Sequence, residues 1–184
     1  MEEKKEEQAI ILDFLPNGYP FDNRPMFRKT AIAQALGTAH FSLLELIPKR
    51  DVSLQAGQEV YIGEGKRDII HHVAGRLPPE KMTETAKHAL EDAVALLVGK
   101  NKQMFVDFFN NSGAITTRMH QIELLPGIGK KHMWEIVEQR KEQPFASFED
   151  LRARVKLLPD PAKSVIKRII SEINNEDKYK LFVK

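Results

Sequence analysis

Residues 124–131, with the sequence LLPGIGKK, constrain the fold of this chain more than any other segment. Pro126 has no N–H group and therefore ends a helix. Gly127 and Gly129 are both expected to be needed for the turn, because glycine adopts conformations that a side chain blocks. A new helix then begins, and its first N–H groups have no partner inside that helix. The segment predicts a tight hairpin between two helices, with free donors at its tip.

Those donors predict a phosphate site. Free N–H groups and the positive end of the helix dipole attract an anion. Lys130 and Lys131 stand in the first turn, where positive charge is unfavourable unless an anion is bound. We expect the backbone at Gly127, Ile128 and Gly129, assisted by the two lysines, to hold a nucleic-acid backbone, as a helix-hairpin-helix does. The alternative is a helix connector that binds nothing.

The motif returns in altered form 33 residues later, as LLPDPAK at residues 157–163. Internal repetition is a property of the fold, so the two copies predict a pair of hairpins. The second copy has lost both glycines. Asp160 at its tip would repel a phosphate, and Pro161 removes a donor. We therefore expect the first hairpin, with Trp134 packed in its core, to bind the ligand and the second hairpin to be structural.

The first 77 residues have the pattern of a small β domain. Short apolar segments separated by turn residues predict strands at residues 9–15, 30–36, 40–47, 59–62 and 69–73, with a helix as the alternative for residues 31–36. The last two of these strands are expected to pair with each other as a hairpin. Strands of this number suit an OB-like barrel, which has five.

After Pro78, apolar residues recur at helical spacing, which predicts helices up to the hairpins. The predicted fold class is therefore α+β. An OB-like β-barrel domain occupies residues 1–77, and an all-α domain occupies residues 78–184. The paired helix-hairpin-helix motifs are expected at residues 118–175, and a last strand at the barrel edge is expected at residues 179–183.

The predicted loops of the barrel bring basic and aromatic residues together. The bases are Arg24, Arg28, Lys66 and Arg67, and the neighbouring aromatic residues are Tyr19, Phe21 and Phe27. Aromatic rings stack on unpaired bases, and cationic side chains follow the backbone. These loops are therefore predicted to contact single-stranded nucleic acid. Alternatively, the aromatic residues fill a small core.

The charge of the chain favours a local contact with nucleic acid. The net charge is +2, which divides into −2 for residues 1–113 and +4 for residues 114–184. A nucleic acid would therefore be held at the hairpin rather than by a general positive field. Because phosphate contacts carry no sequence information, we expect little sequence preference.

Other classes of protein lack support in the sequence. The chain has no cysteine, which excludes disulfides, thiolate zinc sites and iron–sulfur clusters and fits a cytoplasmic protein. No apolar segment reaches the roughly 18 residues of a membrane span. His71 and His72 are neighbours on a predicted strand, so they should point to opposite faces and share no metal. We expect no metal and no cofactor, and we expect residues 1–8 to be a frayed tail.

One alternative is catalytic. The hairpin resembles that of the DNA glycosylase/lyase superfamily, in which a lysine after the second glycine acts as an amine nucleophile and an acid lies further along. Lys131, Glu149 and Asp150 stand at about those places. The Val-Asp-Thr context of that superfamily is absent, and no second helical domain remains to hold a flipped base. We therefore expect no enzyme activity and assign no catalytic residue.

As a whole, the chain resembles a family of uncharacterised archaeal proteins that combine an OB-like barrel with a tandem helix-hairpin-helix. The likeness is carried by LPGIGK at residues 125–130 and FEDL at residues 148–151. It implies nucleic-acid binding, with RNA suspected. Met133 departs from the pattern, since many such hairpins have a small residue there. The second hypothesis, from another class of function, is a protein-interaction adaptor in a larger complex.

Overall fold

The chain folds into strands followed mainly by helices in the computed structural model, which describes residues 5–184. The first strands are β1 (Gln8–Leu15), β2 (Ile32–Gly37), β3 (Leu43–Pro48), β4 (Glu59–Tyr61) and β5 (Ile70–Arg76). The later elements are α1 (Glu84–Lys100), α2 (Lys102–Asn111), β6 (Ala114–Thr116), β7 (Met119–His120), α3 (Lys130–Glu142), α4 (Phe148–Arg154) and α5 (Pro161–Ile173). Short 3₁₀ helices lie at Met26–Arg28, Pro79–Lys81 and Gln121–Leu124. The predicted α+β class is confirmed.

The first five strands form one antiparallel sheet in the order β4-β1-β2-β3-β5. One face of the sheet carries a buried apolar cluster that includes Ile11, Ala35, Leu46 and Ile70. Register shifts interrupt the β1–β2 pairing between Ile11 and Asp13 and occur twice in the β3–β5 pairing. Such bulges bend a strand and increase its twist. The sheet is consequently curled into a half-barrel.

The predicted hairpin between β4 and β5 is wrong. β4 pairs with β1 and β5 pairs with β3, so these strands lie at the two ends of the strand order. The connecting loop folds back on its own strand, because the backbone N–H of Gly65 donates to the Tyr61 hydroxyl at 2.9 Å. A Cβ atom on Gly63 would lie 2.4 Å from that hydroxyl, so the phenol ring needs glycine beneath it.

Ordered structure begins before the end of the predicted frayed tail at residues 1–8. Residues 1–4 lie outside the described residues, but Glu6 is only 7% exposed. Its carboxylate accepts hydrogen bonds from the backbone N–H groups of Ala39 at 2.9 Å and His40 at 2.7 Å. Glu6 therefore holds the turn between β2 and β3, and the expectation of a frayed tail is wrong for this residue.

The predicted strand at residues 179–183 is also absent, since these residues have no strand pairing. The Glu172 carboxylate accepts hydrogen bonds from the backbone N–H groups of Leu181 and Phe182 instead. The last backbone N–H, that of Lys184, donates to the His40 carbonyl at 3.2 Å. The C-terminal segment is thus held by the Glu172 carboxylate and by contacts such as that with His40 rather than by a strand ladder.

Contacts divide the chain into two compact units, one containing residues up to Ala93 together with Glu172–Lys184, the other Val94–Ser171. The second unit contains the antiparallel pair β6–β7, so the predicted all-α character of this part is wrong. Whether residues 1–77 and 78–184 are separate folding domains stays a prediction. No helix among residues 5–184 is long and apolar enough to cross a membrane.

Replacing Glu6 with Ala should destabilise the first compact unit by about 1–3 kcal/mol, because the N–H groups of its turn lose their acceptor. Glu7→Ala is the matched control, since the Glu7 side chain is exposed. Urea denaturation of both variants measures the difference. Equal midpoints for Glu6→Ala and the parent would show that the buried carboxylate contributes nothing.

Candidate nucleic-acid interface

The segment that leads into the first hairpin is a short capped turn rather than an α-helix. Gln121–Leu124 forms a 3₁₀ helix whose N-cap is His120. The His120 Nδ1 atom accepts from the Ile122 N–H at 3.1 Å, and the Glu123 carboxylate accepts from the His120 N–H at 2.6 Å. Burial, together with the charge of Arg140, lowers the pKa of His120. The neutral imidazole that this bond requires is therefore favoured.

The two glycines of the hairpin have different roles. Gly127 has a φ angle of +82°, in the region that glycine occupies far more readily than other residues. A Cβ atom there would also lie 3.4 Å from Pro159 of the second hairpin. Gly129 has φ −94° and ψ −173°, an extended conformation open to any residue, with no atom within 4 Å of an added Cβ. The expectation that both positions need glycine for the turn is therefore wrong for Gly129.

Gly129 matters because it is the N-cap of α3 and has no side chain to offer. The first bond of the helix runs from the Met133 N–H to the Gly129 carbonyl, at 3.0 Å. The N–H groups of Lys130, Lys131 and His132 precede that bond and receive no side-chain cap within residues 5–184. The start of α3 therefore presents a set of open donors.

Other residues of the hairpin hold the turn in place. Ile128 is 3% exposed, and its N–H donates to the Leu125 carbonyl at 3.1 Å. Met133, which stands where many such hairpins have a small residue, is also 3% exposed. Its side chain is accommodated in the interior. These contacts fix the position of the open donors.

The second hairpin satisfies its own donors. Asp160 precedes α5, and its carboxylate accepts from the N–H groups of Ala162 at 3.0 Å and Lys163 at 3.3 Å. The aspartate occupies the place of an N-cap side chain. The two hairpins are joined by the Ser164 hydroxyl, which donates to the Pro126 carbonyl at 2.8 Å. In this pair, the first N–H groups of α5 have a side-chain acceptor, whereas those of α3 have none within residues 5–184.

The two lysines of α3 are not equivalent. The Lys130 ammonium donates to the Arg118 carbonyl at 2.8 Å and lies 3.4 Å from the Glu123 carboxylate. Lys131 is exposed, and no hydrogen bond or ion pair within residues 5–184 engages its side chain. The charge of Lys131 is therefore the more accessible to a ligand.

Two exposed apolar residues of the same compact unit were missed as candidate contacts. Trp134 was expected in the core, but it is 59% exposed. Met133 and Ile136 define the buried side of α3, and Trp134 falls outside their helical spacing, which is a signal that the sequence contains. Leu157 is 92% exposed and has a φ angle of +59°, which no pattern in the sequence indicates.

The predicted aromatic loop between β1 and β2 is partly core and partly surface. Tyr19 is buried, and its hydroxyl donates to the Glu45 carboxylate at 2.6 Å. Burial and this hydrogen bond raise the pKa of Tyr19 to about 12. Phe21 stacks on Tyr19 with ring centroids 4.9 Å apart, yet it is 66% exposed, and Phe27 is 83% exposed. The loop therefore offers accessible rings.

The bases of this loop have different surroundings. The Arg24 guanidinium pairs with the Asp22 carboxylate at 2.6 Å, and this contact lowers the pKa of Asp22 to about 2. The Arg28 guanidinium lies 5.7 Å from the centre of the Phe27 ring. In this loop, Arg28 and Phe27 therefore place an exposed cation beside an exposed aromatic ring.

The other predicted basic loop follows β4. Lys66 is exposed, whereas the Arg67 side chain donates to the Gly63 carbonyl at 2.7 Å. Arg67 also lines a cavity of about 730 Å³ with Tyr61 and with Arg76 of β5. The Ile62 N–H donates to the Glu7 carbonyl at 2.8 Å, which puts this loop near the beginning of β1.

The loop with Arg24 and Arg28 follows the end of β1, a strand of 8 residues. At the usual rise per residue, the ends of such a strand lie roughly 23 Å apart. The four predicted bases of the barrel therefore divide into two groups at opposite ends of β1.

The expectation that His71 and His72 point to opposite faces is wrong. Their Nδ1 atoms lie 2.8 Å apart. The β3–β5 register passes from Ile47 opposite His72 to Pro48 opposite Ile70, so His71 is an extra, bulged residue. A bulge changes the direction of a side chain. Within residues 5–184, no group of three or more potential metal ligands is present.

The acids of the catalytic alternative are not joined to Lys131. The Asp150 carboxylate accepts from the Ala146 N–H at 3.0 Å and pairs with the Arg154 guanidinium at 3.2 Å. Glu149 is exposed. No hydrogen bond or ion pair within residues 5–184 links either acid to Lys131.

Comparison with known proteins finds a matching family and related archaeal chains. The model of a family described as "Protein of unknown function (DUF655)" matches residues 5–184. The uncharacterised protein MJ0038 of Methanocaldococcus jannaschii is 44% identical over 184 residues, which cover 99% of this chain and 82% of that protein. The crystal structure of Af1531 from Archaeoglobus fulgidus, also of the DUF655 family, matches with a TM-score of 0.88 at 45% identity, covering 97% of this chain and 100% of that one.

Asp160→Ala should destabilise the protein by about 0.5–2 kcal/mol, since it removes the cap of α5. Asp160→Ser should restore most of this loss, because serine also accepts from the first turn of a helix. Binding of nucleic acid should stay unchanged or improve slightly at low salt, because a repulsive charge is lost. Thermal denaturation and an affinity measurement on the folded variants test both parts, and a large loss of affinity would assign the second hairpin to the ligand.

Proposed function

The chain belongs to the DUF655 family of proteins of unknown function, and we propose that it is a non-enzymatic nucleic-acid-binding protein. Its ligand is RNA or DNA, held by the phosphate backbone at the beginning of α3. The motif that holds it is the first of two paired helix-hairpin-helix motifs. The protein acts in the cytoplasm and needs no metal or cofactor for this contact.

The observation that carries the proposal is the difference between the two helix starts. The Asp160 carboxylate caps α5, whereas Gly129 leaves the start of α3 uncapped. A carboxylate oxygen and a phosphate oxygen are both acceptors for the donors at a helix N-terminus. A phosphate on α3 would complete the set of hydrogen bonds that Asp160 completes on α5.

The distribution of charge supports the same ligand. The compact unit Val94–Ser171 has 13 Lys and Arg against 8 Asp and Glu, for a net charge of +5 in a chain of +2. Several of its acids have structural roles, because Asp150 and Asp160 accept backbone hydrogen bonds at the starts of α4 and α5. Lys131 remains available to a phosphate.

The curled sheet is consistent with a second contact surface. Its strand order, β4-β1-β2-β3-β5, supports the OB-like interpretation, because the OB-fold is a partly open five-stranded barrel. In that fold, the loops between the first two and the last two strands bind oligonucleotides. The corresponding loops here contain Arg28 beside the exposed Phe27, and the exposed Lys66. We propose that they contact unpaired bases and backbone.

One group of residues favours the second candidate, a protein-interaction adaptor. Phe21, Met26 and Phe27 expose 66%, 64% and 83% of their surface within one loop. Neighbouring exposed apolar side chains are typical of protein contact sites as well as of nucleic-acid contact sites. Phosphate contacts weaken as salt concentration rises. Binding of nucleic acid that does not change with salt concentration would therefore favour the adaptor.

The proposal is tested by direct binding of the full chain to labelled oligonucleotides. Fluorescence anisotropy is measured with single- and double-stranded RNA and DNA of about 16 nucleotides, over about 50–200 mM salt. Binding to at least one of the four, with a negative slope of log affinity against log salt concentration, supports it. Failure of all four to bind at the lowest salt would overturn it.

Lys131→Ala should flatten that slope by about 0.7–0.9, the contribution of one phosphate contact. Lys130→Ala should change it less, because the Lys130 ammonium is engaged by Arg118 and Glu123. Lys141→Ala removes the same charge at the other end of α3, where it pairs with Glu138, and serves as the control. Equal slopes for all three variants and the parent would remove the start of α3 from the interface.

A further inference from the structure

Trp134 and Leu157 are large apolar residues that face solvent in the unit Val94–Ser171. The exposed fractions are 59% for Trp134 and 92% for Leu157. Neither side chain has a hydrogen bond, ring contact or cation contact within residues 5–184. Stability of the fold does not account for their exposure, since apolar surface is favourably removed from water.

The structure places the two residues near Lys131 and Lys156. Lys131 comes three residues before Trp134 and four before Glu135 on α3, so all three share one helix face. The Glu135 carboxylate accepts from the backbone N–H of Lys156 at 3.4 Å, and Lys156 immediately precedes Leu157. This contact brings the exposed segment with Lys156 and Leu157 against α3 beside Glu135, the neighbour of Trp134.

Leu157 is held in an unfavourable backbone conformation. Its φ angle of +59° lies in the left-handed region, which residues other than Gly, Asn and Asp seldom occupy. The position would be more stable with Gly or Asn, and the side chain gains nothing from packing because it is 92% exposed. Strain of this kind is concentrated at ligand contacts.

We propose that Trp134 and Leu157 form a stacking surface for unpaired bases, so that the ligand of the hairpin is single-stranded nucleic acid. This inference rests on the proposed function, because the phosphate held at α3 brings the strand to the surface. Trp134 receives the face of one base, and Leu157 covers the edge of the stack. Lys131 and Lys156 supply the complementary charge for the backbone between them. Stacking accepts any base, since every base has a π-face.

Trp134 is the one tryptophan of the chain, so its fluorescence reports directly on this contact. The full chain is titrated with a single-stranded oligonucleotide of about 16 nucleotides and with an abasic strand of the same length and charge. The strand with bases should quench the fluorescence and bind about 5- to 140-fold more tightly, the effect of stacking one base. The abasic strand should still bind, with the same salt dependence.

The outcomes separate the two proposals. If both strands bind equally and neither quenches Trp134, the stacking surface is wrong and the phosphate contact stands. If neither single strand binds but a fully paired duplex does, the inference of a single-stranded ligand is overturned and the phosphate contact stands. If the duplex fails as well, both proposals are overturned. If a fully paired duplex quenches Trp134 as strongly as the single strand does, the ligand class is wrong.

Substitutions provide a second readout. Trp134→Leu should bring the affinity for the strand with bases closer to that of the abasic strand, with a loss of at least about 5-fold, and Trp134→Phe should retain most of the affinity. Leu157→Asn should raise or preserve the melting temperature, because Asn accepts a positive φ, and should weaken binding about 5-fold. A gain in stability without a loss of affinity would show that Leu157 takes no part.

Met104→Ala is the matched control, since Met104 is 50% exposed in the same compact unit. Its affinity should equal that of the parent. An equal loss in Met104→Ala and Trp134→Leu would show that the effect of removing an exposed apolar side chain is general and would overturn the assignment.

Discussion

The first N–H groups of every helix need an acceptor, and the two hairpin helices meet that need in different ways. α5 has an acceptor within its own chain, because the Asp160 carboxylate takes the N–H groups of Ala162 and Lys163. α3 has Gly129 at the same place, and no side chain among residues 5–184 caps its start. Since donors that are left without a partner are unfavourable unless water or a ligand reaches them, the exposed start of α3 is where an external acceptor is favoured.

The packing of the two hairpins makes this difference possible. The Ser164 hydroxyl donates to the Pro126 carbonyl, and Gly127 lies against Pro159. The segment before α5 therefore supports the turn before α3. Buried Ile128 and Met133 fix the beginning of α3 from within. A rigid support keeps the donors in position before a ligand arrives, which reduces the ordering that binding requires.

Much of the architecture could be predicted from sequence because it depends on local chemistry. Pro126 and Gly127 marked the turn that precedes α3, and residues 157–163 marked the turn that precedes α5. The pairing of β4 with β1 and of β5 with β3 could not be predicted, because it depends on distant strands and on Tyr61 covering the Gly63–Gly65 loop. The approach of His71 and His72 was equally hidden, since it results from a register shift against β3.

The roles of individual side chains likewise divide into those that local sequence indicates and those that depend on distant contacts. The sequence identified Lys130 and Lys131 together, but only tertiary contacts with Arg118 and Glu123 distinguish them. The role of Glu6 depends on a turn more than 30 residues away, at Ala39 and His40. The strained backbone of Leu157 has no sequence signature, because leucine is not a residue that favours a positive φ.

The most direct test of the account is the affinity of Gly129→Asp for single-stranded nucleic acid. An aspartate there gives α3 the cap that α5 already has, and the extended backbone and open space at this position allow it. We predict that the variant is at least as stable as the parent but binds about tenfold more weakly or worse, as expected when a charge-assisted hydrogen bond is lost. Gly129→Ala, which adds no acceptor, should bind nearly as well as the parent. A stable Gly129→Asp variant with the affinity of the parent would contradict the account.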